Sequence, residues 1–121
     1  MIRFRYIVDD VDKAVAFYTS HLGFHIEKNF APALAILERE DFHLLVAGPK
    51  ASASRPMPDG SKPASGGWNR IMIEGEELAA TVAQLREEGV KFRNEIIVGP
   101  GGSQILCEDP SGNPIELFQP A

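Results

Sequence analysis

Residues 8–24 read VDDVDKAVAFYTSHLGF, and this stretch decides the fold. Asp9 and Asp10 bring side-chain oxygens suited to capping a helix N-terminus. Apolar residues then fall at Val11, Ala14, Val15, Tyr18 and Leu22, the spacing of a helix with one buried face. Gly23 follows and stops that helix as a left-handed cap. Working outward, residues 2–8 alternate and carry Ile, Phe, Tyr and Val, so a strand is predicted before the helix. After it come three short strands, over residues 24–29, 34–39 and 42–47, with Glu40 and Asp41 turning the last pair.

The same order returns in the second half. Residues 68–74 alternate as a strand. Residues 76–88 are helical, with Leu78, Val82 and Leu85 on one side, and Gly89 ends the helix as Gly23 ended the first. Strands over residues 90–98, 103–107 and 115–118 follow, separated by GPGG and by DPSGN, both strong turn signals. Between the halves lies GPKASASRPMPDGSKPASGG, residues 48–67, whose Pro, Gly and Ser make a flexible link or an exposed loop rather than core. FHLLVAGP, starting at Phe42, matches IELFQPA, starting at Ile115. The chain therefore reads as an internal duplication of one strand–helix–three-strand unit.

At 121 residues the chain suits a single domain, residues 1–121, with module one at about 1–48, the link at about 49–67 and module two at about 68–121. A chain of this length buries roughly two-thirds of its unfolded surface, enough for one core. The net charge of −5 argues against nucleic acid or an anionic membrane as partner. No apolar run approaches membrane-spanning length, and the charged opening MIRFRYIVDD is unlike a signal peptide. The single cysteine, Cys107, can make no internal disulfide. A cytoplasmic protein is expected.

VDDVDKAVAFYTSHLGF resembles the opening signature of the vicinal oxygen chelate superfamily, which includes glyoxalases, extradiol dioxygenases, fosfomycin-resistance transferases and bleomycin-binding proteins. EDPSGNPIELFQP, residues 108–120, resembles its closing signature, and LAATVAQLREEGV, residues 78–90, its second helix. The resemblance implies an α+β fold of two tandem βαβββ modules whose sheets curve into a half-open barrel around a cup. It also implies a homodimer, in some branches with binding sites at the subunit interface. DPSGN needs no chemistry to explain it, because Asp109 can cap its turn, Pro110 presets φ and Gly112 permits a left-handed residue. Phe17 and Tyr18 read most simply as helix face packed on sheet.

Enzymes of this superfamily usually hold a divalent metal with four residues, on the first and last strands of each module. Motif alignment places those positions at Arg3, His43, Arg70 and Glu116, with Asn69 the neighbour to watch at the third. Arginine is permanently charged and has no lone pair to donate. His43 and Glu116 alone fall short of a stable metal site. No metal and no cofactor is expected in this cup.

Strand alternation then gives the cup lining the resemblance implies. Arg3 and Arg5 lie on one face of the first strand, and Trp68, Arg70 and Met72 on one face of the fifth. His43 lies on the fourth, and Glu116 and Phe118 on the last. Aromatic and aliphatic walls around Arg, His and Glu suit a small-molecule pocket. Arg3 or Arg70 can pair with Glu116, bracing the modules where the metal would sit, and one arginine can be left free to grip a carboxylate, phosphate or enolate-like oxygen; both can hold at once. His43 and Glu116 are the acid–base candidates. Acidic neighbours make Cys107 a poor nucleophile. The expected function is metal-free binding of a small organic molecule. The alternative is an enzyme, a glyoxalase-like lyase, isomerase or dioxygenase acting on a small oxygenated substrate, metal-free or metal-dependent.

Overall fold

A computed structural model describes all residues 1–121. The chain divides into two compact units, Met1–Gly66 and Gly67–Ala121. The first holds β1 (Phe4–Ile7), α1 (Val11–His21), β2 (His25–Phe30), β3 (Leu34–Arg39) and β4 (Phe42–Ala47). Its sheet runs β1-β4-β3-β2, with β1 parallel to β4 and the other pairs antiparallel. The second holds β5 (Ile71–Glu74), α2 (Leu78–Glu87), β6 (Lys91–Phe92), β7 (Ile97–Gly99), β8 (Gly102–Glu108) and β9 (Pro114–Pro120). Its sheet runs β5-β9-β8-β6, with β7 also on β8 and β5 parallel to β9. The path is the same in both units, with β6 and β7 together standing where β2 stands. The expected α+β fold of repeated βαβββ units is the one observed.

Local chemistry sets the boundaries. The Asp10 carboxylate accepts a hydrogen bond from the Lys13 backbone N–H at 3.0 Å and starts α1. Gly23 and Gly89 follow the helices at φ 73° and 86°, as their position required. In α2, Glu77 makes no side-chain cap; the Leu78 N–H donates instead to the Gln119 Oε1 at 2.9 Å. The Asp109 Oδ1 accepts from the N–H groups of Ser111 and Asn113, both at 2.9 Å, and closes the DPSGN turn.

Each helix covers one face of its own sheet. In the first unit that face carries Tyr6, Ala35, Leu37, Leu44 and Val46, all buried, against Ala14, Val15 and Tyr18 of α1. Tyr18 is fully buried and sits 6.4 Å from the Tyr6 ring and 5.5 Å from the Phe24 ring, as a core residue should. In the second unit Ile105, Cys107, Ile115 and Leu117 are buried with Leu78, Val82 and Leu85 of α2. Full burial of each such side chain contributes about 1.5–3 kcal/mol.

Three predicted elements differ. The fifth strand begins at Ile71, not at residue 68. Its partner β9 opens with Pro114, which has no N–H to offer a ladder, so pairing starts at Ile71 opposite Ile115. Residues 90–98 form two strands instead of one. The Asn94 Oδ1 accepts from the Leu106 N–H at 3.0 Å, taking the place of a main-chain carbonyl where the ladder breaks. Residues 48–67 are mostly exposed but carry a 3-10 turn, Ser52–Ser54, tied back by the Ser54 hydroxyl donating to the Gly48 carbonyl at 2.7 Å.

Gly102 adopts φ +147°, where a Cβ would collide with the Gln119 carbonyl and lie 2.9 Å from the Phe118 ring. Gly102→Ala should therefore lower stability by about 1–3 kcal/mol, read as a fall in the urea midpoint. An unchanged midpoint would contradict this close approach.

Candidate functional site

The face of each sheet opposite its helix carries the polar residues. In the second unit the register sets Met72 against Glu116 and Glu74 against Phe118, with Leu106 and Gln104 completing the rows. Glu116 is only 8% exposed. Arg70 answers its charge: Nε donates at 3.0 Å and Nη2 at 2.8 Å, both to Oε1. The third donor, Nη1, reaches the Trp68 carbonyl at 3.2 Å. One arginine thus neutralises a buried carboxylate and fixes the backbone ahead of β5. The expected Arg–Glu pair forms with Arg70, but as a brace inside the second unit.

Trp68 is 70% exposed. One face of its indole lies against the Arg93 guanidinium, 4.7 Å from the ring centroid. Arg93 also donates to Glu108 at 2.7 Å, to the Gly67 carbonyl at 2.8 Å and to the Gly112 carbonyl at 2.9 Å. This clasp was not foreseen from the sequence, because Arg93 lies in what reads as a continuous strand. Met72 is 55% exposed and Phe118 is half-buried.

In the first unit Arg3 and Arg5 are exposed, and Arg3 Nε donates only to the Met1 sulfur, at 3.2 Å. Arg5 lies opposite Leu45, and Glu38 opposite His43, so all four share the helix-free face. His43 has a partner that the sequence reading did not identify. Its Nδ1 lies 2.8 Å from the Glu27 Oε2. Glu27 is the extra residue where the β2–β3 register shifts between Ile26 and Lys28. A bulge of this kind changes the facing of the residues that follow it, and nothing in the alternation of β2 announces it.

Comparing the two units corrects one alignment. The Val8 N–H donates to the Ala47 carbonyl, and the Gly75 N–H to the Phe118 carbonyl. Val8 and Gly75 each stand two residues before a helix cap, Asp10 and Glu77. They are therefore equivalent, which pairs Arg3 with Arg70 and Leu45 with Glu116. Leu45, not His43, is the counterpart of Glu116. At the four ligand positions implied by the superfamily the chain then offers Arg3, Leu45, Arg70 and Glu116. Only Glu116 can ligate a cation, and Arg70 already holds it. A divalent metal does not fit this donor set.

Removing Arg70 strands a buried carboxylate. Arg70→Met should lower stability at pH 7 by about 1–3 kcal/mol, and adding Glu116→Gln should restore most of it; additive losses in the double variant would show that the two side chains do not interact. Cys107 is buried, and burial first, then the charges of Asp109 and Glu108, push its thiol up to about 12. Iodoacetamide at pH 8 should leave the folded chain unlabelled and label it in urea. The protonated thiol favours the folded state, so this contribution is complete below the unfolded pKa of about 8.5 and is lost as pH rises toward the folded value.

Comparison with curated proteins gives no match. Solved structures do match. Lactoylglutathione lyase from Agrobacterium tumefaciens aligns at TM-score 0.76 and 20% identity, over 98% of this chain and 92% of that one. TnmS3, an antibiotic binding protein from Streptomyces sp. CB03234, aligns at TM-score 0.70 and 23% identity, over 100% and 97%. A superfamily member from Sphaerobacter thermophilus aligns at TM-score 0.74 and 20% identity, over 98% and 97%. These likenesses show the fold. The family model for the Glyoxalase/Bleomycin resistance protein/Dioxygenase superfamily matches residues 1–117, and the chain belongs to that superfamily.

Proposed function

We propose that the chain is a binding member of its superfamily, one that takes up a planar or aromatic organic molecule without a metal at the superfamily's four ligand positions. The observation that carries this reading is the Arg70–Glu116 pair, which fills with a guanidinium the place where a cation would need its carboxylate. Trp68, Met72 and Phe118 supply apolar contact beside it, and an indole pinned on one side by Arg93 keeps the other side for stacking. In the first unit, Arg3 and Arg5 are exposed and make no ion pair, so their charge is free to meet an anion there. The likeness to an antibiotic binding protein agrees with sequestration. The proposal includes the homodimer that the family likeness implies, and a cytoplasmic setting, in keeping with a lone buried thiol.

A second reading has one observation behind it. His43 and Glu27 form a hydrogen-bonded imidazole–carboxylate pair at 2.8 Å, partly open to solvent, the arrangement of a general base. Here His43, with or without Glu116, would move a proton on a small oxygenated substrate, as the likeness to a lyase permits.

Trp68 is the sole tryptophan, so its fluorescence reports directly. Titration of EDTA-treated protein with a panel of planar aromatic compounds should give saturable quenching by at least one of them. Met72→Ala should weaken that ligand about tenfold, the scale of one lost apolar contact. Binding that appears only after a divalent metal is added would overturn the metal-free reading. Turnover of the ligand that disappears in His43→Ala would favour the enzyme.

A further inference from the structure

The helix-free face of the first sheet holds a second polar group that the proposed binding reading does not use. Glu27 on β2, Glu38 on β3 and His43 on β4 come from three adjacent strands, and one ligand atom of each lies within 4.8 Å of the others. We propose that these three residues form a site for a first-row divalent cation, separate from the superfamily's four ligand positions.

Chemistry, register and charge agree. The set is one imidazole nitrogen and two carboxylate oxygens, a mixed donor set that zinc accepts. Two carboxylates and a neutral imidazole carry a charge of −2, which balances a dication. Glu38 stands directly opposite His43 in the β3–β4 register, so their side chains leave the sheet together. Glu27 lies two residues from His25, which stands opposite Glu38, so alternation along β2 sets Glu27 on the same face as Glu38 and His43. The 2.8 Å contact between the Glu27 Oε2 and the His43 Nδ1 agrees with that facing. A second carboxylate beside Glu38 sets like charges together, which opposes folding unless a cation lies between them. Glu38 has no hydrogen bond or ion pair of its own, so protein cations leave that charge uncompensated.

The geometry requires little movement. Donors bonded to zinc at about 2.0 Å in a tetrahedron stand about 3.3 Å apart. The present spacing closes to that by rotation of two glutamate side chains at the sheet surface. His43 is 19% exposed and Glu27 34%, so ions can enter and the remaining coordination positions face solvent. On binding, the cation takes the imidazole lone pair, and any proton now shared between His43 and Glu27 moves to the other ring nitrogen or to water.

The test uses the full chain, stripped with EDTA, titrated with zinc chloride by calorimetry, with bound metal counted after gel filtration. One zinc per chain is expected. Glu38→Gln keeps the shape of a surface side chain and should weaken binding at least about tenfold, no less than the loss of an outer-shell partner does. His43→Ala should do the same, whereas Glu116→Gln and His21→Ala should leave affinity and stoichiometry unchanged. Absence of stoichiometric zinc in the unaltered chain overturns the site, and so does binding that survives Glu38→Gln and His43→Ala. Zinc lost in Glu116→Gln would place it at the superfamily's positions and overturn both this site and the metal-free reading. Tryptophan quenching by an organic ligand is read separately, from Trp68 in the second unit, so either proposal can fail alone.

Discussion

Parallel pairing of the first and last strands within each unit is the constraint on which the rest depends. β1 lies beside β4 and β5 beside β9, although a helix and two or more strands separate them in the chain. A parallel neighbour cannot be reached by a tight turn, so a crossover helix is required. That helix must then cover one sheet face. Tyr6, Leu37, Leu44 and Val46 in the first unit, and Ile105, Ile115 and Leu117 in the second, are buried for this reason. The opposite face is left for charge, and there Arg70, Glu116, Glu27, Glu38 and His43 collect.

Those charges are handled differently in the two units. In the second, a guanidinium makes two hydrogen bonds to one oxygen of a buried carboxylate, and the site is electrically closed. In the first, two carboxylates meet a single imidazole near solvent, and the site remains anionic. The two units share one backbone plan, yet one pairs its buried carboxylate with a guanidinium and the other sets two carboxylates around one imidazole.

Elements fixed by neighbours in sequence were legible there. Asp10 caps α1, Gly23 and Gly89 end the helices, and Asp109 closes its turn, each through contacts spanning a few residues. β3 and β4 lie where alternation put them. What escaped was fixed by partners across the sheet. The start of β5 depends on Pro114, the break between β6 and β7 on Asn94, and the meeting of Glu27 with His43 on the register of β2, β3 and β4. The offset between His43 and Leu45 escaped for a different reason. Side chains on a strand repeat every two residues, so a shift of two keeps every residue on its face and leaves the alternation intact. Only hydrogen bonds to the residues before the helix caps expose it.

Arg93 ties Gly67, Gly112 and Glu108 together beneath the Trp68 ring, so the entry to the second unit is moored to that unit's own closing turn. At the other end, Gly48 hydrogen-bonds to the Ala33 carbonyl and has no room for a side chain beside Val11 and the Pro32 carbonyl. The intervening segment is anchored at both ends, at the first also by its own Ala51 N–H and Ser54 hydroxyl, which donate to the Gly48 carbonyl. A change of length beyond Ser54 leaves both anchors intact, so the aromatic platform that follows should stay where it is. Residues 55–66 can therefore be altered without disturbing either sheet.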